Sequence, residues 1–158
     1  MDLKAISLTL HLLSAVIWVG GMFFAYMILR PVAGQQLEPP QRLSLWAGVF
    51  KKFFPIVWLS VVLLPLTGYN LIFSNWGGFS TAPLYVHIMN GLGIVMILIY
   101  MHVFFAPYKK LAQAVAIQDW PTGGQKLNQI RLLIAVNLTI GLIVISLAAL
   151  GRYSSILI

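Results

Sequence analysis

Three histidines, His11, His87 and His102, and six methionines are the side chains of this sequence best suited to hold a metal, since it contains no cysteine. Without thiolates, disulfides, thioredoxin-type pairs, covalent c-type haem, iron–sulfur clusters and thiolate zinc or copper sites are excluded. A metal must then be held by imidazole, thioether or oxygen. Each histidine lies in a long apolar run free of Asp and Glu, where ionisable side chains are rare enough to be functional candidates by default. Two imidazoles from different helices can take both axial positions of a haem, whereas mixed His and Met donors suit copper.

The elements that position these residues are membrane spans. Of 158 residues, 60% are hydrophobic and only 13 are charged, against about 40 in a soluble domain of this length. Mean hydropathy is +0.92, so lipid must solvate most of the surface and the soluble-enzyme classes fall away. Three stretches carry no Lys, Arg, Asp or Glu: Ala5 to Leu29, Phe53 to Tyr108, and Leu132 to Gly151. A bilayer core about 30 Å thick needs roughly 20 apolar residues per helix. The middle stretch therefore holds two spans, divided at Ser74 to Gly78 and Pro83. Helices are expected at about 5–29, 53–73, 85–105 and 132–151, with helical extensions at 41–52 and 109–131 interrupted by an Asp119 to Gly124 turn. The fold class is an all-α, four-transmembrane-helix up-and-down bundle forming one domain over 1–158. Dyad alternation is missing, which disfavours a β-barrel. The first apolar run is too long for a signal-peptide core and lacks a small-x-small cleavage site, so it is kept as a span.

Eight basic residues, Arg30, Arg42, Lys51, Lys52, Lys109, Lys110, Lys126 and Arg131, lie in the first and third connections, and only Lys4 and Arg152 lie on the other side. The positive-inside rule then puts both termini outside. The net charge of +7 reads as topology and lipid-headgroup contact rather than as a nucleic-acid surface.

Depth sorts the histidines. At about 1.5 Å per residue, His11 lies roughly 9 Å and His87 roughly 4 Å from the outer edge, while His102 lies about 22 Å beyond His87. His11 and His87 thus share a level on helices that can face each other diagonally across the bundle. Ser14, Ala15, Gly91 and Gly68 leave space for a flat macrocycle, Asn70, Ala148 and Gly151 lie at the same level, and Arg152 and Lys4 are placed to pair with propionates. The alternative is that His11 and His87 bond neighbouring helices or sit among headgroups. His102 reads as an interfacial side chain or, with Met22 at similar depth, as a copper or second-haem pair. Trp18 to Gly21 and the Asn137/Gly141 pair read as helix-packing devices, Asn137 supplying an interhelical hydrogen bond. Trp46, Trp76, Trp120 and Tyr108 read as interface anchors.

The run from His11 through Trp18, Gly20 and Gly21 to Arg30-Pro31 resembles bacterial membrane proteins of the CopD (copper resistance protein D) family. The segments Glu38 to Arg42, Phe53-Phe54-Pro55, His102 to Pro107, Asp119-Trp120-Pro121 and Leu127 to Arg131 are similar to those of its short stand-alone members. The spacing from His11 to Trp18 and the glycines after it also resemble the first helix of HemJ, the haem-binding protoporphyrinogen oxidase of bacteria. The first resemblance implies copper uptake across the inner membrane. The second implies heme b and redox chemistry on a porphyrinogen or quinone.

Two functional classes follow. One is a membrane cytochrome b, a possible oxidoreductase, in which His11 and His87 ligate haem for electron transfer between a quinone in the lipid bilayer and a redox partner protein at the outer surface. The other is a copper-handling protein with His and Met ligands at staggered depths. A cofactor-free assembly partner is the third reading.

Overall fold

The computed structural model describes residues 2–151 and is helical, with no strand among them. Four helices are long and apolar enough to cross a membrane: α1 (Leu3–Gln36), α2 (Pro39–Trp76), α3 (Leu84–Ala116) and α4 (Trp120–Gly151). α1 packs chiefly along α2 and α3 along α4, while α4 also touches α1 and α2. The large side chains turned away from these seams are apolar. Leu12, Val16, Leu59, Leu66, Leu98 and Leu132 are 54–68% exposed, a surface that water would not tolerate but lipid does.

All four helices run beyond the expected spans, and prolines do not stop them. α1 passes through Pro31 and α3 through Pro107, and a π-helical segment lies beside or across each proline, Phe24–Leu29 and Phe104–Tyr108. A proline lacks the N–H of its turn and crowds the carbonyl four residues back, and the wider π turn accommodates both defects. The expected reversal at Asp119 to Gly124 is corrected. The chain turns at Ile117 to Asp119, where Gln118 takes φ 59°, and Trp120 to Gly124 already form the first turns of α4. Pro121 is tolerated there because helix-start N–H groups have no intrahelical acceptor. The Ser74 to Gly78 break is found as expected, with α2 ending at Gly77 in a left-handed conformation, φ 75°.

Each of the three carboxylates caps a helix. Asp2 accepts from the Lys4 N–H (3.0 Å), Glu38 forms a capping box with Gln41, and Asp119 accepts from the Thr122 N–H (3.2 Å). These contacts satisfy amides left open at helix starts.

The core is densest toward the end holding the two basic connections. Phe50, Phe54, Trp58, Tyr100, Phe104 and Tyr108 form a continuous aromatic lattice with ring centroids 4.8–6.2 Å apart, and the Tyr100 hydroxyl donates to the Phe54 carbonyl at 2.8 Å. Trp46 belongs to this core rather than to an interface belt. It is buried and packs on Phe50 at 5.3 Å.

Two glycines permit close helix approach. A Cβ at Gly141 would lie 2.9 Å from Val19 Cγ2 and 3.1 Å from Met96 Cε, so α1, α3 and α4 meet there. A Cβ at Gly21 would meet the Phe53 ring.

Replacing Gly141 by Leu is expected to overpack this junction and cost about 1–3 kcal/mol, read as a lower unfolding temperature in detergent. The Asp119 carboxyl titrates below the usual carboxylate range because the Thr122 side chain and amide hydrogen-bond it. Its stabilising effect is therefore present above the ordinary carboxylate pKa and lost as pH falls through the depressed one. Asp119→Ala should be less stable than the parent at neutral pH, and the difference should close in acid.

Candidate functional site

Polar side chains buried between lipid-facing helices must find partners within the protein. The α1–α2 seam meets that demand in two successive turns. Ser7 Oγ donates to Asn70 Oδ1 at 3.1 Å, and one turn further His11 Nδ1 lies 2.9 Å from Thr67 Oγ1. The imidazole fits because residue 68 has no side chain: a Cβ at Gly68 would stand 3.1 Å from His11 Cε1.

The direction of the His11–Thr67 bond follows from the other partner of the hydroxyl. Thr67 Oγ1 lies 2.6 Å from the Leu63 carbonyl oxygen, which can only accept. The single hydroxyl proton is committed to it. His11 Nδ1–H therefore donates to Thr67, and in the neutral ring Nε2 then carries the lone pair, the arrangement in which metal-ligating histidines are held by a hydrogen bond on their other nitrogen.

The remaining candidates are dispersed. Ser14 is buried one turn below His11 on α1. His87 is exposed on α3, 5.9 Å from the Phe79 ring, which in turn packs on Tyr69 at 5.7 Å. His11 and His87 thus stand at the same end of the bundle, one held in a helix seam and the other against the α2–α3 connection. Gly91 is exposed, with open space where a Cβ would project. Lys4 is exposed at the start of α1, and Arg152 lies outside the described residues. His102 is exposed on α3 whereas Met22 is buried in the core. No group of three or more His, Cys, Asp or Glu side chains converges among the described residues.

A second feature lies deeper. Trp18, Met22, Phe54, Tyr100 and Asn137 contribute to the lining of a partly open cavity of about 30 Å³, room enough to admit a water. Asn137 Nδ2 donates to the Met96 carbonyl at 3.3 Å, the expected interhelical bond, but its buried Oδ1 has no partner among the described residues. The cavity thus combines one unused oxygen acceptor with a thioether-bearing wall.

Thr67 and the free Asn137 oxygen were not distinguishable in the sequence. A threonine in an apolar run signals nothing until the neighbouring helix sets a histidine against it. The depth count did place Gly68 and Asn70 at the level of His11, and the α1–α2 contacts join them there.

Fold and site together define a multi-pass helical membrane protein with a polar histidine seam. Residues 47–150 match the family model of copper resistance protein D, and the chain belongs to the CopD family. The matched segment runs from α2 to the end of α4 and holds His87 and His102, while His11 precedes it. No curated protein and no solved structure gives a match.

Thr67→Val should leave the His11 Nδ1–H without its acceptor and destabilise the protein by about 1–3 kcal/mol. Thr67→Ser, which keeps the hydroxyl, should unfold close to the parent temperature.

Proposed function

We propose that this protein handles copper within the membrane, with His11 as its first ligand and the Met22/Asn137 cavity as a deeper station. The observation that carries this reading is the His11–Thr67–Leu63 hydrogen-bond chain, which keeps the His11 Nε2 lone pair available before any metal arrives. Imidazole and thioether suit copper, and neutral donors hold a monovalent ion without burying a carboxylate. Met22 follows His11 by 11 residues, about 16 Å along α1, so the two stations are staggered in depth. Copper is here a cargo. Membership of the CopD family supports the metal, and the eight basic residues of the two connections support an orientation with those connections cytoplasmic and both termini outside the bacterial inner membrane.

A second reading is a b-type haem held by His11 and His87 and serving a quinone-linked or porphyrinogen-linked oxidoreductase. One observation favours it: both imidazoles stand at the same end of the bundle, and the preset Nε2 of His11 suits iron as well as copper. The fit is partial, since His87 is exposed against Phe79 and the described cavity is lined by neither histidine. When bound, haem would supply one-electron redox chemistry. The chain's contribution would be an oriented imidazole and the surrounding apolar packing.

Elemental analysis and visible spectra of the purified protein, loaded with Cu(I) and expressed with sufficient haem, separate the two. Copper handling predicts bound copper that His11→Ala weakens by about tenfold or more, the scale of one lost ligand contact, and that His102→Ala leaves in place. A reduced-minus-oxidised α band that needs both His11 and His87 would select haem. Copper binding indifferent to His11→Ala would remove the proposal.

A further inference from the structure

At the opposite end of the bundle from His11, Arg30 of α1 and Arg131 of α4 face one recess, and Arg42 of α2 is near enough for its charge to act on Arg131. Arg30 and Arg131 line a recess with Tyr26, Trp46, Phe50 and Ile134. The Arg30 guanidinium lies 4.7 Å above the Tyr26 ring. The ionisable neighbours whose field reaches Arg131 are Arg30, Arg42 and the Tyr26 phenol, with no carboxylate among them. Arg131 Nε is buried and has no hydrogen-bond partner among the described residues.

Like charges gathered at an apolar wall repel one another, and a buried guanidinium N–H without an acceptor is costly. The three carboxylates of the chain cannot relieve this, because each caps a helix start. What the cluster lacks is an anion with several acceptor oxygens. Guanidinium forks match phosphate in geometry and charge. Tyr26, Trp46, Phe50 and Ile134 make the rest of the recess lining aromatic or apolar.

We propose that Arg30, Arg42 and Arg131 form a binding site for a phosphate-bearing anion at the basic end of the bundle. Two sources share that chemistry, the headgroup of an anionic phospholipid and free phosphate. The protein embedded in phosphatidylcholine nanodiscs distinguishes them by its unfolding temperature. One arm adds phosphatidylglycerol to the disc, and the other adds inorganic phosphate against chloride at matched ionic strength. Native mass spectrometry counts the retained lipid.

Stabilisation by phosphatidylglycerol with one tightly retained lipid assigns a headgroup site, and stabilisation by phosphate in phosphatidylcholine alone assigns a free-phosphate site. In either case Arg131→Gln should weaken binding by about tenfold, the scale of a lost charge-assisted hydrogen-bond pair, and Arg42→Gln should weaken it in the same direction. Lys110→Gln removes an exposed positive charge of α3 and should change little. Equal responses to Lys110→Gln and Arg131→Gln would reduce the effect to general surface charge and overturn the site. So would indifference of the protein to both anions.

Discussion

The hydrogen bond from His11 to Thr67 ties together the features on which a function can be built. In lipid the unfolded alternative offers an imidazole no water, so a histidine in a span must be satisfied by a neighbouring helix. Here Gly68 admits the ring, Thr67 accepts from one nitrogen, and the Leu63 carbonyl accepts from the threonine hydroxyl. The same contact closes α1 onto α2 and fixes which nitrogen remains free. In the proposed copper reading, packing and ligand preparation are therefore one interaction. A change at Gly68 or Thr67 would disturb both together.

Scarcity of carboxylates shapes the rest. Asp2, Glu38 and Asp119 all serve helix starts outside the apolar spans. Any metal in the interior must therefore be held by neutral donors, and the basic end must look outside the protein for its counter-charge. The two proposed sites, a neutral-donor site between α1 and α2 and an arginine site at the other end, follow from that single distribution of charge. The aromatic lattice of Phe50, Phe54, Trp58 and Tyr100 lies between these ends. It provides the dense packing that lets the helices, which show no ion pair among the described residues, hold a fixed register.

The four spans were legible because uncharged runs of about 20 residues have few other uses. Their true ends were not. Nothing in the sequence signalled the π turns beside Pro31 and Pro107, and Asp119 to Gly124 read as a reversal although Asp119 caps the helix that Trp120 begins. Trp46 read as an anchor because it lies near a span edge, and only the fold shows that α2 turns it onto Phe50. The level shared by His11, Gly68 and Asn70 came from simple rise arithmetic. Thr67 and the proximity of Arg30, Arg42 and Arg131 did not. Their chemistry arises from helices brought together by topology, and no local spacing encodes it. The CopD resemblance read from short apolar motifs agrees with the family match over residues 47–150.

The most direct test of the central claim is the protonation of the His11 ring in the metal-free protein, read by 15N NMR with histidine-labelled protein and His11→Gln to assign the signal. The account predicts a protonated Nδ1, coupled to Thr67 and lost or shifted in Thr67→Val, with an unprotonated Nε2 that moves when Cu(I) is added. A protonated Nε2 in the metal-free state, with Nδ1 carrying the lone pair, would contradict the hydrogen-bond direction and with it the preset ligand.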